Sequence, residues 1–246
     1  MEAQLETQFD KDEFSFAYPD GIENNYWNHA RNRIILNTIK KYPVGNVLDV
    51  GSGRGIVTDY LFRNGISIRG VELGVTSAIS NSNVPIEYDT DALSFSTEAS
   101  SKYTTISLFD VIEHIEHPVT FIRNLTAHFK NLEYLIITVP ARKELWTNFD
   151  EYYGHFKRYH LDDIKSEMKQ CGFELIKYNY FFQLLYLMIW LNNKTSKKRN
   201  IRFNVPTGIT RVMHTALAQL LYLSDFIAPG KLYGSSIMCV AKKIKK

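Results

Sequence analysis

Apolar residues along the chain change period several times, and each change marks an element. Trp27, Ala30, Ile34, Ile35 and Ile39 recur at helical spacing and predict a helix over Glu23 to Tyr42, broken by Pro43 and Gly45. Asn46 to Val50 is then a short apolar strand running into glycines, and Ile56 to Asn64 suits a helix capped by Gly65. Further strands are predicted at Ile66 to Glu72, around Pro85 to Tyr88, at Thr104 to Phe109 and at Tyr134 to Val139. The last of these is almost wholly apolar, as a parallel strand buried on both faces must be. A helix after Pro118 carries Phe121, Ile122, Leu125 and Phe129, and another opens at Leu161 and ends by Gly172. Strands at Glu174 to Tyr180 and Ser235 to Lys242 follow. This alternation predicts an α/β, Rossmann-like doubly wound sheet of seven strands, mostly parallel, with helices on both faces.

The pattern divides the chain into an N-terminal arm and helix (1–45), a core (46–180), an apolar and basic insertion (181–234) and a last strand with a basic tail (235–246). The insertion is too long for a bare connection and must carry structure of its own. Val212, Met213, Ala216, Leu217, Leu220 and Leu221 form one helical stripe in it, stopped by Pro229-Gly230. The apolar run Phe181 to Leu191 falls far short of the ~20 residues a spanning helix needs. It is followed by Lys194, Lys197, Lys198, Arg199 and Arg202, which suits contact with a bilayer surface, a partner or the core.

Composition refines this picture only at a few points. Hydrophobic residues at 45% and charged residues at 22% are those of a globular chain with a sizeable core. A net charge of +3 does not call for nucleic acid. Cys171 and Cys239 fit no metal-ligand spacing, and the acidic, polar N-terminus is unlike a signal peptide, so a cytoplasmic chain is expected.

Candidate chemistry sits where strands end, because an open parallel sheet collects ligands there. Val47 to Gly55 reads as strand, tight turn and helix start; the glycines let backbone approach a ligand, and the helix N-terminus offers free N–H groups. A dinucleotide fingerprint wants its third glycine where Ile56 stands, which weakens a nicotinamide dehydrogenase reading. Glu72 closes the next strand 21 residues after Gly51, where a carboxylate can accept both hydroxyls of a ribose. Asp91-Ala92 follows the third strand, where an acid can take an adenine amino group or simply form a turn.

Taken together, VLDVGSGRG at 47–55, VELG at 71–74, DTDALSF at 89–95, ISLFDVIEHIEHP at 106–118 and LIITVP at 135–140 resemble the successive motifs of class I S-adenosylmethionine-dependent methyltransferases. The resemblance implies that Asp49, Gly51, Ser52 and Gly53 line the methionine portion of the donor. It places Glu72, followed by Leu73, at the ribose, Asp91 and Ala92 at the adenine, and Phe109 and Asp110 beside the sulfonium. The segments Glu23 to Arg33, Pro140 to Tyr159 and Pro229 to Ser236 resemble a bacterial subgroup linked to surface polysaccharide or lipid-linked glycan pathways. Ser52 departs from that subgroup, most of whose members have Cys there. The implied cofactor is S-adenosylmethionine, leaving S-adenosylhomocysteine, and the implied acceptor is a small molecule, sugar or lipid-linked intermediate.

A hydroxyl acceptor needs a base. His155 is the first candidate, between Asp150 and Arg158, which could orient it or bind an anionic acceptor; its alternative is a structural hydrogen bond. His114 is the second, more readily a residue that holds its loop. Glu113, His114, Glu116 and His117 lack the i, i+4 ligand pair, so no metal is expected. The competing functions are a small-molecule or quinone-type O-methyltransferase and a catalytically silent donor-binding subunit. Methylation of nucleic-acid bases is disfavoured, since Asp110-Val111-Ile112-Glu113 replaces the Asn/Asp-Pro-Pro-aromatic motif of amino-methylating enzymes.

Overall fold

The computed structural model describes residues 14, 16–196, 198, 201, 205–227 and 230–244. Residues 1–13 of the arm, Lys197, Arg199, Arg202, Pro229, Lys245 and Lys246 lie outside the described residues. Helix α1 (Tyr26–Ile39) starts where Asn25 caps the Trp27 N–H at 2.9 Å. Strand β1 (Val47–Val50) and helix α2 (Ile56–Arg63) flank the glycine turn, and β2 (Ile68–Val71) and the very short β3 (Ile86–Glu87) follow. Then come α3 (Thr97–Ser100), β4 (Thr105–Phe109), α4 (Pro118–His128) and β5 (Tyr134–Pro140). The chain continues through α5 (Asn148–Tyr152), α6 (Leu161–Gln170), β6 (Phe173–Phe181), α7 (Gln183–Thr195), α8 (Gly208–Ile227) and β7 (Ser236–Lys243).

The seven strands lie in the order β3-β2-β1-β4-β5-β7-β6, with β1 to β5 parallel and β7 antiparallel to both neighbours. Chain order reverses between β1 and β4, so the switch point lies at the carboxyl ends of those strands. Alternation along β5 explains its almost wholly apolar sequence. Leu135, Ile137 and Val139 enter a core shared with Ile122 and Leu125 of α4 and Ile164 and Met168 of α6, whereas Ile136 faces a second core. That second core takes Ile35 and Ile39 of α1, Leu61 of α2, Leu185 of α7 and Leu221 of α8.

The insertion differs from its predicted form. Phe181 ends β6, Phe182 turns the chain in the left-handed region (φ 62°), and Asp225 of α8 accepts the Phe182 N–H at 2.9 Å. Phe181, Phe182 and Leu185 are therefore core residues, and only Leu187, Met188 and Leu191 of that apolar run are largely exposed. In α8 the expected single stripe splits. Ala218, Leu221 and Tyr222 are buried, while Val212, Met213 and Leu220 are exposed. The helix is apolar on opposite faces, so periodicity alone could not choose which one packs.

Candidate active site

The glycine turn and the end of β2 build one wall of a cleft of about 280 Å3. Gly51, Gly53 and Gly55 all have positive φ. At Gly55 the positive φ (78°) favours glycine, and a Cβ would also stand 2.4 Å from Ile86 Cδ1, which would have to shift. Glu72 is folded over this turn. Its Oε2 accepts the Gly53 N–H at 2.7 Å and its Oε1 the Gly74 N–H at 2.9 Å. Burial raises its pKa above the ordinary carboxylate value, and those backbone N–H groups pull it part of the way back.

Asp49 lies beneath the turn and is bonded internally. Thr58 Oγ1 donates to it at 2.6 Å and Ser107 Oγ at 2.8 Å, tying α2 and β4 to β1, and burial raises its pKa to about 6. Asp91 accepts the Leu93 N–H at 2.9 Å, so the turn-forming role holds, while the residue also lines the cleft. At the end of β4, Asp110 adopts φ 56° and pairs with the buried Arg31, and Thr138 Oγ1 donates to it at 3.1 Å. Arg31 lies 4.9 Å above the Trp27 ring and lines the cleft, whereas Arg33 is at the surface with Gln219 and Tyr222.

The loop after β5 docks on the loop after β4. The Phe156 N–H donates to the Glu113 carbonyl at 2.7 Å, and Tyr159 Oη to the Ile112 carbonyl at 3.2 Å. Asp150 is fully buried. Its Oδ2 accepts the Thr147 N–H at 2.9 Å, closing a capping box on α5, and its Oδ1 meets His155 Nδ1 at 2.9 Å and Arg158 Nε at 2.7 Å. These hydrogen bonds hold Asp150 at about 2 against the opposing effect of burial. Arg158 also donates to the Ala141 carbonyl at 3.1 Å, and at 4% exposure it orients Asp150 rather than meeting an acceptor. The His114 and His155 rings are edge to face, 4.7 Å apart, and burial beside His155 lowers His114 to about 3.

All ten residues expected at the donor (Asp49, Gly51, Ser52, Gly53, Glu72, Leu73, Asp91, Ala92, Phe109 and Asp110) line this one cleft, as does His114. His155, Asp150 and Arg158 stand behind His114 and do not line it. Two contributors escaped sequence reasoning. Phe14 reaches in from the arm against Gly74. Arg54 clamps the arm by donating to the Tyr18 carbonyl at 2.6 Å, Asp20 at 2.8 Å and the Ser77 carbonyl at 3.1 Å. The arginine was visible inside the glycine motif, but its partners lie on two distant loops.

Residues 23–178 match a family described as a methyltransferase domain. A curated relative, the ubiquinone biosynthesis O-methyltransferase of Proteus mirabilis, is 25% identical over 130 residues, 48% of this chain and 53% of that protein. The chain spans about half the length of the curated relatives it matches. Among solved structures, a SAM-dependent methyltransferase from Archaeoglobus fulgidus is 18% identical with a TM-score of 0.50, over 86% of this chain and 94% of that one. Magnesium protoporphyrin IX methyltransferase from Synechocystis PCC 6803, with bound SAH, is 14% identical with a TM-score of 0.53, over 95% and 93%.

Proposed function

Because the chain belongs to the methyltransferase-domain family, we propose that it transfers a methyl group from S-adenosylmethionine to a hydroxyl oxygen of a small, lipid-linked acceptor. The acceptor is a sugar or glycan intermediate in the first reading and a quinone-type phenol in the second. The relatives named for ubiquinone biosynthesis support the second, and the motif likeness to polysaccharide-linked sequences supports the first. Bound S-adenosylmethionine supplies an already activated methyl group on a sulfonium.

The reading rests on one observation above all: Glu72 and the left-handed glycine turn form a single hydrogen-bonded unit at the switch point. Each Glu72 oxygen spends one lone pair on backbone and retains another for a ribose hydroxyl. Ser52 Oγ and Arg31 Nε are buried without hydrogen-bond partners, which fits a polar, carboxylate-bearing amino-acid portion. Asp91 and Ala92 are assigned the adenine, and Phe109 and Asp110 the reacting end. Aligning the two reactants is the protein's main task, since the leaving group is already cationic. His155, the candidate base, is held on Nδ1 by Asp150 behind His114, which leaves Nε2 as the nitrogen that would take the acceptor proton.

A lipid anchor is inferred from the outer face of α8. Ile209, Val212, Met213, Leu220, Leu223 and Ile227 are all largely exposed and fall on one side of a 20-residue helix. Trp190 with Lys194 3.6 Å above its ring, and the basic sequence that follows, supply interfacial and cationic groups. Among the described residues no helix is long and apolar enough to cross a membrane. Peripheral membrane contact through the exposed face of α8 is the arrangement we assign.

Calorimetry with S-adenosylhomocysteine tests the donor site. Incubation with labelled S-adenosylmethionine and panels of glycosyl and phenolic hydroxyl acceptors, read by mass, separates the two acceptor classes. Binding without transfer to any of them would point to a silent partner subunit. Sedimentation with anionic vesicles should weaken with salt and on replacing Lys197, Lys198 and Arg199 by Ala; indifference to anionic lipid removes the membrane assignment.

A further inference from the structure

A row of aromatic side chains runs from the reacting end of the cleft to the surface. Tyr18 of the arm lines the cleft together with Arg31, Phe109 and Asp110. Its ring packs on Ile22, Ile56 and Ile79, and its carbonyl accepts from Arg54 Nη1 at 2.6 Å, so the arm presents it at a fixed place. Burial raises the phenol of Tyr153 in the loop after β5, and Tyr18 and Tyr152 add to the effect, which puts the three hydroxyls near one another. Tyr152 meets Tyr153 edge to face at 5.2 Å, and Phe16 lies 6.4 Å from Tyr152. Phe16 and Tyr152 are 41% and 45% exposed, so the row opens to solvent.

This wall does not favour an anion. Among the described residues no lysine lines the cleft, and its two arginines are paired, Arg31 with Asp110 and Arg54 with Asp20. Arg158, deeper in, is paired with Asp150. A phosphate-bearing acceptor would have to compete with a carboxylate for each of them. A sugar ring carries hydroxyls around its edge, and each one buried needs a partner, which the faces of aromatic rings do not supply. A planar aromatic ring needs stacking or edge contacts with centroids about 4.5–7 Å apart, the spacing these side chains keep among themselves. Burial, and then Asp110 against the opposing Arg31, push the Tyr18 phenol up to about 12, so it remains an O–H donor at neutral pH.

We propose that this row is the acceptor subsite and that it takes an uncharged, planar aromatic ring bearing hydroxyls. The ring packs against Tyr152 and Tyr153, and any apolar substituent leaves past Phe16. Tyr18 is a positioning residue: its hydroxyl donates a hydrogen bond to the ring oxygen beside the one that is methylated. The inference rests on the methyl-transfer reading above and selects the phenolic of its two acceptor classes.

The test uses the full chain, S-adenosylmethionine and three probes: propylcatechol, its carboxylated counterpart dihydrocaffeate, and octyl glucoside. Methylation is read by mass, and binding of each probe and of S-adenosylhomocysteine by calorimetry. Propylcatechol should bind and be methylated, and the glucoside should do neither. Dihydrocaffeate should bind about tenfold more weakly or worse, since it brings a second anion beside Asp110 with no spare cation. Tyr152→Ala should raise the KM for propylcatechol about tenfold, the upper end for one aromatic pair, with the effect on KM rather than kcat. Tyr152→Phe keeps the ring and should restore the wild-type KM. Tyr18→Phe should lower kcat/KM about tenfold, as for one hydrogen bond, and thermal melts confirm that the variants are folded. Propylcatechol that fails to bind, or binds Tyr152→Ala as tightly as wild type, overturns the subsite, as does dihydrocaffeate binding equally well. Methyl transfer then stands if S-adenosylhomocysteine binds. A chain that binds propylcatechol through Tyr152 but not S-adenosylhomocysteine keeps the subsite and loses the methyl-transfer reading.

Discussion

Replacing Glu72 separates its two functions, bracing the glycine turn and receiving the donor. The side chain is 7% exposed and accepts one backbone N–H on each oxygen, at 2.7 and 2.9 Å. In the proposed donor complex the remaining lone pairs would take two ribose hydroxyls. Hydrogen bonds to a charged group contribute about 1.5–3 kcal/mol each, so Glu72→Ala forfeits about 3 kcal/mol or more, since water refills part of the space. At about 1.4 kcal/mol per tenfold, the Kd for S-adenosylhomocysteine should rise about 100-fold. Glu72→Gln keeps one acceptor oxygen but turns an NH2 group toward a backbone N–H, so its loss should be intermediate, about tenfold, near one hydrogen bond. Isothermal calorimetry at neutral pH reads both, and thermal melts confirm that the variants are folded. Because burial raises the Glu72 pKa, the carboxyl takes up its proton at a higher pH than an ordinary glutamate. Wild-type affinity should therefore fall earlier on acidification than for an ordinary carboxylate, and the Gln variant should lack this dependence. An alanine variant binding within threefold of wild type refutes the ribose assignment.

Three further outcomes follow from the same geometry. Arg54→Ala removes four hydrogen bonds to the arm and the loop after β2. Segment 16–22 should become sensitive to limited proteolysis, and donor affinity should fall about tenfold, as expected for one lost charge-assisted contact. Gly55→Ala meets both a positive φ of 78° and Ile86 Cδ1 at 2.4 Å, and strain plus overpacking of about 2–4 kcal/mol should lower the Tm by roughly 5–15 °C. Gly53→Ala has nothing within 4 Å of its Cβ and should cost only the strain of its positive φ. Asp49 keeps its proton up to about pH 6 when folded but only to the ordinary aspartate value of 3.8 when unfolded, so the folded chain takes up a proton first as pH falls. Its ionisation penalty at neutral pH, about 3 kcal/mol, is relieved between pH 6 and 4. Asp49→Asn should therefore lose that acid-side gain in Tm, measured as the wild-type-minus-variant difference between pH 7.5 and 5.

What the sequence made legible follows from how each feature is encoded. The core strands were readable because β1, β4 and β5 are buried on both faces, which favours largely apolar runs between turn residues, interrupted only by the buried Asp49, Thr105, Ser107 and Thr138. The convergence of the candidate donor residues was readable for a related reason: Gly51, Glu72, Asp91 and Asp110 each follow a strand, so one topology brings all four to one cleft at the switch point. The division of α8 was hidden because apolar residues on opposite sides of a helix give the same local pattern whether packed or exposed. Short helices such as α3 and α5 escaped because four or five residues cannot display a period.

The acceptor side was hardest to read because its order comes from hydrogen bonds between distant segments. Asp150 serves at once as the N3 residue of a capping box, the partner of Arg158 and the support of His155, and nothing in its local sequence distinguishes these roles. Glu113 shows the same limit more sharply. Beside His114, Glu116 and His117 it reads as one polar residue in a solvated turn, yet the loop after β5 covers it and leaves both oxygens unanswered. Local spacing therefore assigned the donor half of the cleft, where glycines and strand ends carry the function. It failed on the other side, where burial by a distant loop, and not local spacing, brings Glu113, His114 and His155 together.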